Sequence, residues 1–380
     1  MNDMAIDRRK FLQKSALKAS SLGMLPFLKE RDFKYFKEAA PKEMTLAPKI
    51  KIGVVGINHG HIYGMAASVI RGGAELKSFY ALEDDLAADF SKRFPSAVRA
   101  KTAQEVYEDK EIQMILSSAI PSDRAPIGIQ AMLHGKDYMV DKPGITDLKQ
   151  LKEVKKIQKQ TGRIFSISYS ERFENRATEK AGQLVKDGAI GKVIQTIGLG
   201  PHKMNPKSRP QWFFEKDKFG GIITDIASHQ FDQFLFFTNS TEAKIIASQV
   251  GNVNHPQYPG FEDFGDVMLK GNGGTGYIRV DWFTPDGLNT WGDGRLTILG
   301  TEGFIEIRKN IDIGRLDKGN QLYMANQKET VHIDCNDVPL TYGERLVNDV
   351  VNRTNTAMSQ EHCFLAMELA LQAQKMASKI

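Results

Sequence analysis

The chain is poor in the residues that would place it in several large protein classes. Two cysteines in 380 residues, Cys335 and Cys363, stand in no disulfide or metal-binding spacing, so neither a disulfide framework nor a zinc module is implied. No apolar run is long enough to span a bilayer. Internal repeats and low-complexity tracts are absent, which sets aside solenoids and disordered arrays. Positive charge is in surplus at one end only. Residues 1–49 carry eleven Lys/Arg and six Asp/Glu, which accounts for the whole net charge of +5 and leaves 40 bases against 40 acids in the rest. A neutral body argues against nucleic-acid binding by charge.

What is present divides into a leader, an alternating region and a glycine-rich region. Asp7-Arg8-Arg9-Lys10-Phe11-Leu12, followed by a moderately apolar stretch to Leu28, reads as a twin-arginine export signal. Lys14 and Lys18 interrupt that stretch, and a basic amphipathic N-terminus in a cytoplasmic protein is the alternative. The expected location is therefore the periplasm. From Lys49, short apolar strands alternate with helices: Ile50–Val55, Ile62–Ile70, Leu76–Ala81, Asp84–Phe94, Met114–Ala119, Pro126–His134, Tyr138–Val140, Leu148–Gln160 and Ile164–Tyr169. Such alternation predicts an α/β domain with a parallel sheet covered on both faces, over 49–172. After Phe173 the pattern becomes period-two strands with many glycines, among them Val193–Leu199, Gly276–Trp282 and Arg295–Leu299. That predicts an α+β domain over 173–380, with a largely antiparallel sheet open on one face. An open face suggests a homo-oligomer. Two helices, near Tyr342–Asn352 and Glu361–Ser378, close the chain.

Three segments carry chemistry. The first strand runs into Gly53-Val-Val-Gly56-Ile57-Asn58-His59-Gly60-His61, a strand, turn and helix in the position of a dinucleotide site. Relative to G-x-G-x-x-G, Asn58 and His61 replace the second and third glycines. Asn is the best non-glycine substitute where φ must be positive, so the turn itself can survive. The second strand closes on Ala81 where an acid for the ribose is expected, and Glu83 is the nearby substitute. With no base at that strand end for a 2′-phosphate, NAD is favoured, and NADP is the alternative. His59 and His61, two residues apart with no carboxylate beside them in sequence, are not taken as metal ligands.

The second segment is Asp141-Lys142-Pro143, at the carboxyl end of a buried strand where ligands of open α/β sheets bind. A lysine there can stabilise charge developing on an alcohol or carbonyl oxygen. In the third, Gly220-Gly221-Ile-Ile-Thr224-Asp225-Ile-Ala-Ser-His229-Gln-Phe-Asp232, Thr224 is read as a helix N-cap. The helix then places Asp225 and His229 on one face, one turn apart, with Asp232 nearby. An acid beside an imidazole suits proton transfer near neutral pH, although such pairs are also common as buried structural contacts.

Taken together, these segments resemble the Gfo/Idh/MocA family of sugar and cyclitol oxidoreductases, from about Lys49 to Ile380. The likeness extends to Tyr169-Ser-Glu171-Arg172-Phe173, Asp187-Gly188-Ala-Ile-Gly191 and Leu299-Gly300-Thr-Glu-Gly303, with D-K-P standing where the family usually reads E-K-P. The resemblance implies hydride transfer between NAD(P) and a secondary alcohol. Lys142 would polarise the oxygen, His229 would take or return the hydroxyl proton, and Asp225 would fix the substrate or the imidazole. Gly53, Gly56, Ile57, Asn58, His59, Gly60, His61, Glu83, Pro121 and Lys142 would line the nucleotide. Arg172, His202, Trp212, Asp232 and Trp291 are the candidates for the sugar. An NAD-dependent glycosidase and a non-catalytic sugar or nucleotide binder are the rival readings.

Overall fold

In the computed structural model, residues 49–315 and 318–380 are described; the expected leader lies outside the described residues. The run Ile50–Val55 carries almost no polar side chain, and it becomes β1, sandwiched at the centre of a parallel sheet. Around it stand β2 (Ala74–Tyr80), β3 (Val98–Arg99), β4 (Ile112–Ser117), β5 (Asp137–Asp141) and β6 (Phe165–Ser168), in the order β3-β2-β1-β4-β5-β6. Helices α1 (His61–Arg71), α2 (Asp84–Arg93), α3 (Ala103–Glu108), α4 (Pro121–Leu133) and α5 (Leu148–Thr161) join them. The strand order reverses between β1 and β4, so the crevice for a ligand opens at their carboxyl ends, beside Gly56 and Ser118.

One boundary differs from the sequence expectation. Helix α4 begins at Pro121 rather than Pro126. Proline is welcome at the first helical position, where its missing N–H has no partner anyway. Pro126 inside the helix leaves the Ser122 carbonyl without its usual donor, and the Gln150 side-chain amide donates to it instead, at 2.9 Å.

The second sheet has nine strands. They are β7 (Val193–Pro201), β8 (Ala243–Gly251), β9 (Phe264–Gly271), β10 (Thr275–Asp281), β11 (Arg295–Gly300), β12 (Gly303–Arg308), β13 (Gln321–Asn326), β14 (Thr330–Asp334) and β15 (Ser378–Lys379). Their order is β14-β13-β12-β11-β7-β10-β9-β8-β15, antiparallel except for the β7/β10 and β8/β15 pairs. Strand β13, Gln-Leu-Tyr-Met-Ala-Asn, has little β-branched character and was not expected from the sequence. Two short helices, α6 (Ser170–Phe173) and α7 (Arg176–Lys186), lead from the first sheet to the second. One face of the second sheet is covered by α8 (Ser228–Thr238), nearly all of it buried; the other face leaves Met268, Leu299 and Phe304 exposed. Helices α9 (Tyr342–Asn352) and α10 (Gln360–Met376) return to the first sheet. α9 packs on α1, and α10 touches α5, β6 and α8.

Candidate active site

The Gly220-Gly221 pair is the hinge on which α8 enters. Both residues have positive φ, and a Cβ on Gly221 would come within 2.3 Å of the Gln374 side chain. The helical start differs from expectation. Thr224 is not an N-cap: it lies inside a π-helical turn, Ile223–Ala227, and its hydroxyl is buried without a partner. The orphan N–H groups at this end are met from elsewhere, Ile222 by Glu262 at 3.1 Å and Ile223 by Gln374 at 2.9 Å. Such wide turns recur at functional sites.

Asp225 emerges from that turn and meets Lys142, with Nζ 3.0 Å from Oδ1 and both side chains largely buried. Burial alone would raise the Asp225 carboxyl, but Lys142, His59 and Arg124 hold it below its ordinary value. Asp225 does not orient His229 by a hydrogen bond, as the one-turn spacing suggested. The His229 Nδ1 is buried and has no partner among the described residues. Desolvation, reinforced by the positive charge of Lys142 against the opposing Glu171, lowers this ring to about 4. At neutral pH His229 is therefore an uncharged imidazole, one of whose two ring nitrogens lacks a hydrogen and can accept a proton.

The D-K-P turn is anchored from below. Arg124, fully buried, donates from Nε to the Ala119 carbonyl at 2.7 Å and from Nη1 to the Lys142 carbonyl at 2.5 Å. Its Nη2 reaches Asp141 at 2.9 Å. Asp141 also receives Nδ1 of His59 at 2.7 Å and Nδ1 of His61 at 2.8 Å. Burial would raise its carboxyl, yet Arg124, His61 and His59 keep it well below the usual range. An ionised carboxylate only accepts, so both rings donate from Nδ1. The carboxylate that the two histidines lack in sequence is thus supplied from 82 and 80 residues away. The three ligand-capable groups lie within 4.8 Å of one another. Because the Arg124 guanidinium already balances Asp141, the arrangement is a hydrogen-bonded brace across the nucleotide loop.

That loop keeps the features a dinucleotide needs. Gly56 has φ +80°, and a Cβ there would sit 2.6 Å from that of Ala119. Nothing lies within 4 Å of a Cβ built on Gly60. The N-terminus of α1 has no side-chain cap and no acid in its first turn, and its Ile62 and Tyr63 N–H groups make only long bonds, 3.3 Å each, to the His59 and Gly60 carbonyls, which a pyrophosphate could replace. Ile57 and Pro121 are buried at the same edge of the sheet, and Gly53 lies within β1. Asn58 donates to Glu83 at 2.7 Å, so the two substitutes in the fingerprint are tied to each other. The expectation that no base stands at the end of β2 is corrected. Arg99, on the neighbouring β3, donates to the Ala81 carbonyl at 3.2 Å and to Asp84 at 2.7 Å. Its 18-residue separation from Ala81 hid it from a local reading.

Two residues expected to contact substrate are taken up by the protein. Arg172 holds Asp232 through two hydrogen bonds of 2.7 and 2.6 Å, and His362 donates to the same carboxylate at 2.8 Å. The Arg172 guanidinium also lies over the Phe173 ring, 4.0 Å from its centroid, so the pair acts as a strut between α6 and α8. His202 stands between Trp282 and Trp291, with ring centroids 5.3 and 4.6 Å away, and burial with the Lys142 charge lowers it to about 3. Trp212 packs edge-on against Phe213, which in turn meets Trp282. These rings form one aromatic wall.

Residues 50–169 match the oxidoreductase family model with an NAD-binding Rossmann fold, and residues 178–306 match the GFO/IDH/MocA C-terminal domain. The chain belongs to the Gfo/Idh/MocA oxidoreductase family. A crystal structure of an oxidoreductase from Erwinia carotovora atroseptica is 44% identical, covering 87% of this chain and 99% of that one, with a TM-score of 0.85. The scyllo-inositol 2-dehydrogenase of Bacillus subtilis is 28% identical over 209 residues, 53% of this chain and 57% of that enzyme. The chain spans about half the length of the curated relatives it matches. A levoglucosan dehydrogenase in complex with NADH shares the fold at a TM-score of 0.72 and 16% identity, over 86% of this chain and 97% of that one.

Proposed function

We propose that the protein moves hydride between NAD(P) and a secondary alcohol of an uncharged sugar or cyclitol. The observation that carries this reading is the partner-free Nδ1 of a neutral His229 beside the Lys142–Asp225 pair, at the carboxyl edge of the parallel sheet. The nicotinamide supplies the hydride acceptor or donor. Lys142, held between Asp225 and the Arg124-anchored turn, stabilises negative charge on the reacting oxygen. His229 takes the hydroxyl proton in oxidation and returns it in reduction. The aromatic wall of His202, Trp282 and Trp291 offers apolar faces to a sugar ring. The B. subtilis relative supports a cyclitol or sugar as substrate class.

The test has two stages. Nucleotide is first released from denatured protein, or bound to the purified protein, and identified by mass and absorbance. NADH formation is then followed over a panel of cyclitols and aldoses. His229→Ala should lose about 10²- to 10⁴-fold in turnover while still binding nucleotide. A protein that neither retains nor binds nucleotide would sink the proposal, and glycoside cleavage without net NADH would replace it with the glycosidase reading.

A further inference from the structure

Beside the catalytic helix stands a buried ion pair that the reaction as described does not use. Glu171, on α6, meets the Nζ of Lys309, just past the end of β12, and both residues are buried. Lys309 also donates to Gln233 Oε1 at 2.7 Å. Gln230 and Gln233, the next residue after His229 and the one a turn further along α8, direct their amides to the same carboxylate oxygen, Oε2, at 2.8 and 3.4 Å. Three side chains thus crowd onto Oε2, while Glu171 Oε1 is buried with no donor among the described residues. Gln230 Oε1 is equally without a partner. Strand β7 fixes this amide, since a Cβ on Gly198 would come within 2.8 Å of Gln230 Cγ, and one on Gly200 within 2.9 Å of its Nε2.

A buried acceptor left without a donor is destabilising, more so when charged. Here two such acceptors belong to touching side chains, and the His229 Nδ1 is orphaned on the neighbouring residue. Glu171 is close enough to His229 and His202 for its charge to act on both rings. Lys309 neutralises Glu171, so the group that completes the pair must bring a hydrogen without bringing charge. A hydroxyl does this. A carboxylate or phosphate placed there would be repelled by Oε1.

We infer that Glu171 is a specificity-determining residue whose Oε1 accepts the hydrogen of a second substrate hydroxyl, next to the one that reacts at His229. Gln230 Oε1 is the adjoining acceptor, and Lys309 is a positioning residue that holds Glu171 ionised and in place. The site therefore selects a neutral vicinal diol over its deoxy and its acidic analogues. This rests on the function proposed above, and it names a chemical requirement that function does not contain.

The test compares myo-inositol and D-glucose with their monodeoxy analogues and with D-glucuronate, by calorimetric binding to the protein with and without NAD and by NADH formation. Wild type should favour a parent polyol over one particular monodeoxy analogue by about ten- to a hundredfold in affinity and kcat/KM. Glu171→Gln, nearly isosteric, should erase most of that ratio. Because it strands the Lys309 charge, Glu171→Gln/Lys309→Met is made alongside it as the uncharged replacement of the pair. Equal binding of every parent and deoxy analogue, as when an ordered water is the sole occupant, overturns the inference. So does a folded variant that keeps the wild-type ratio, or a protein that binds nucleotide but no polyol. Loss of nucleotide binding strikes only the proposed function, since the polyol ratio is still read on the nucleotide-free protein.

Discussion

The nucleotide loop and the catalytic helix face the same crevice, yet they treat their polar groups in opposite ways. In the loop, every departure from the glycine fingerprint has a protein partner: Asn58 has Glu83, and His59 and His61 share Asp141. On the helix, the hydroxyl of Thr224, Nδ1 of His229 and Oε1 of Gln230 are buried with none, as is Oε1 of the adjacent Glu171. Buried polar groups are nearly always satisfied, so the two halves differ in what completes them. The loop is completed by the protein itself. In the function proposed above the helix is completed by a ligand, and that difference would separate residues that shape the site from residues that act in it.

The harshest way to break the contrast is to remove the group on which the loop converges. Asp141→Asn keeps the shape but leaves the Arg124 guanidinium buried beside a neutral amide. A stranded buried charge of this kind costs about 3–5 kcal/mol, so thermal unfolding should move down by many degrees. Nucleotide affinity should fall with it, because an amide offers one acceptor oxygen where the carboxylate offered one to each ring, so either His59 or His61 meets an N–H instead. A variant with unchanged unfolding temperature and unchanged nucleotide affinity would mean that the brace is not structural.

A milder probe is pH. Burial holds His59 at about 4, His202 at about 3 and His229 at about 4, each against an ordinary value of 6.5. Between those folded values and 6.5 the unfolded chain binds more protons than the folded one. Stability is then full above pH 6.5 and drains as pH falls toward 4. The lowered acids lie below this window, Glu171 at about 2 with Asp141, Asp225 and Asp232 also lowered, while Asp281, raised by burial, opposes the trend. Thermal midpoints measured from pH 7 to pH 4.5 should decline progressively. The acid limb of kcat/KM should lie nearer 4 than 6.5 in the free enzyme. A limb at 6.5 would show that His229 is solvated or is not the base.

Much of this was legible in the chain. The alternation from Ile50 to Tyr169 specifies a parallel sheet because its strands must be apolar on both faces, and the ordered set of motifs brought Lys142, Asp225 and His229 to one place. What was not legible depended on distance in sequence. The carboxylate for His59 and His61 comes from Asp141, the base near Ala81 comes from Arg99, and the partner of Glu171 is Lys309, 138 residues away. Arg172 and Asp232 read as substrate contacts because charge in a pocket-forming segment looks functional. Only the fold shows that the two charges face each other. The π-helical turn at Ile223–Ala227 escaped for a related reason: the acceptors for the Ile222 and Ile223 N–H groups at its start are Glu262 and Gln374, which no local pattern records.

The smallest expected effect sharpens the comparison most. If the loop's departures are already satisfied by the protein, restoring the fingerprint glycine should gain little. Asn58→Gly removes one hydrogen bond, that to Glu83, worth about 0.5–1.5 kcal/mol, and opens the turn for closer approach of a pyrophosphate. The two effects oppose each other, so the dissociation constant for NAD should change by less than about tenfold, with kcat unaltered. Glu83→Gln keeps an acceptor for the Asn58 amide and should lie nearer wild type than Asn58→Gly. A hundredfold tightening in Asn58→Gly would show that the asparagine obstructs the nucleotide. The loop would then belong, like the helix, among the parts of the crevice that wait for a ligand to complete them.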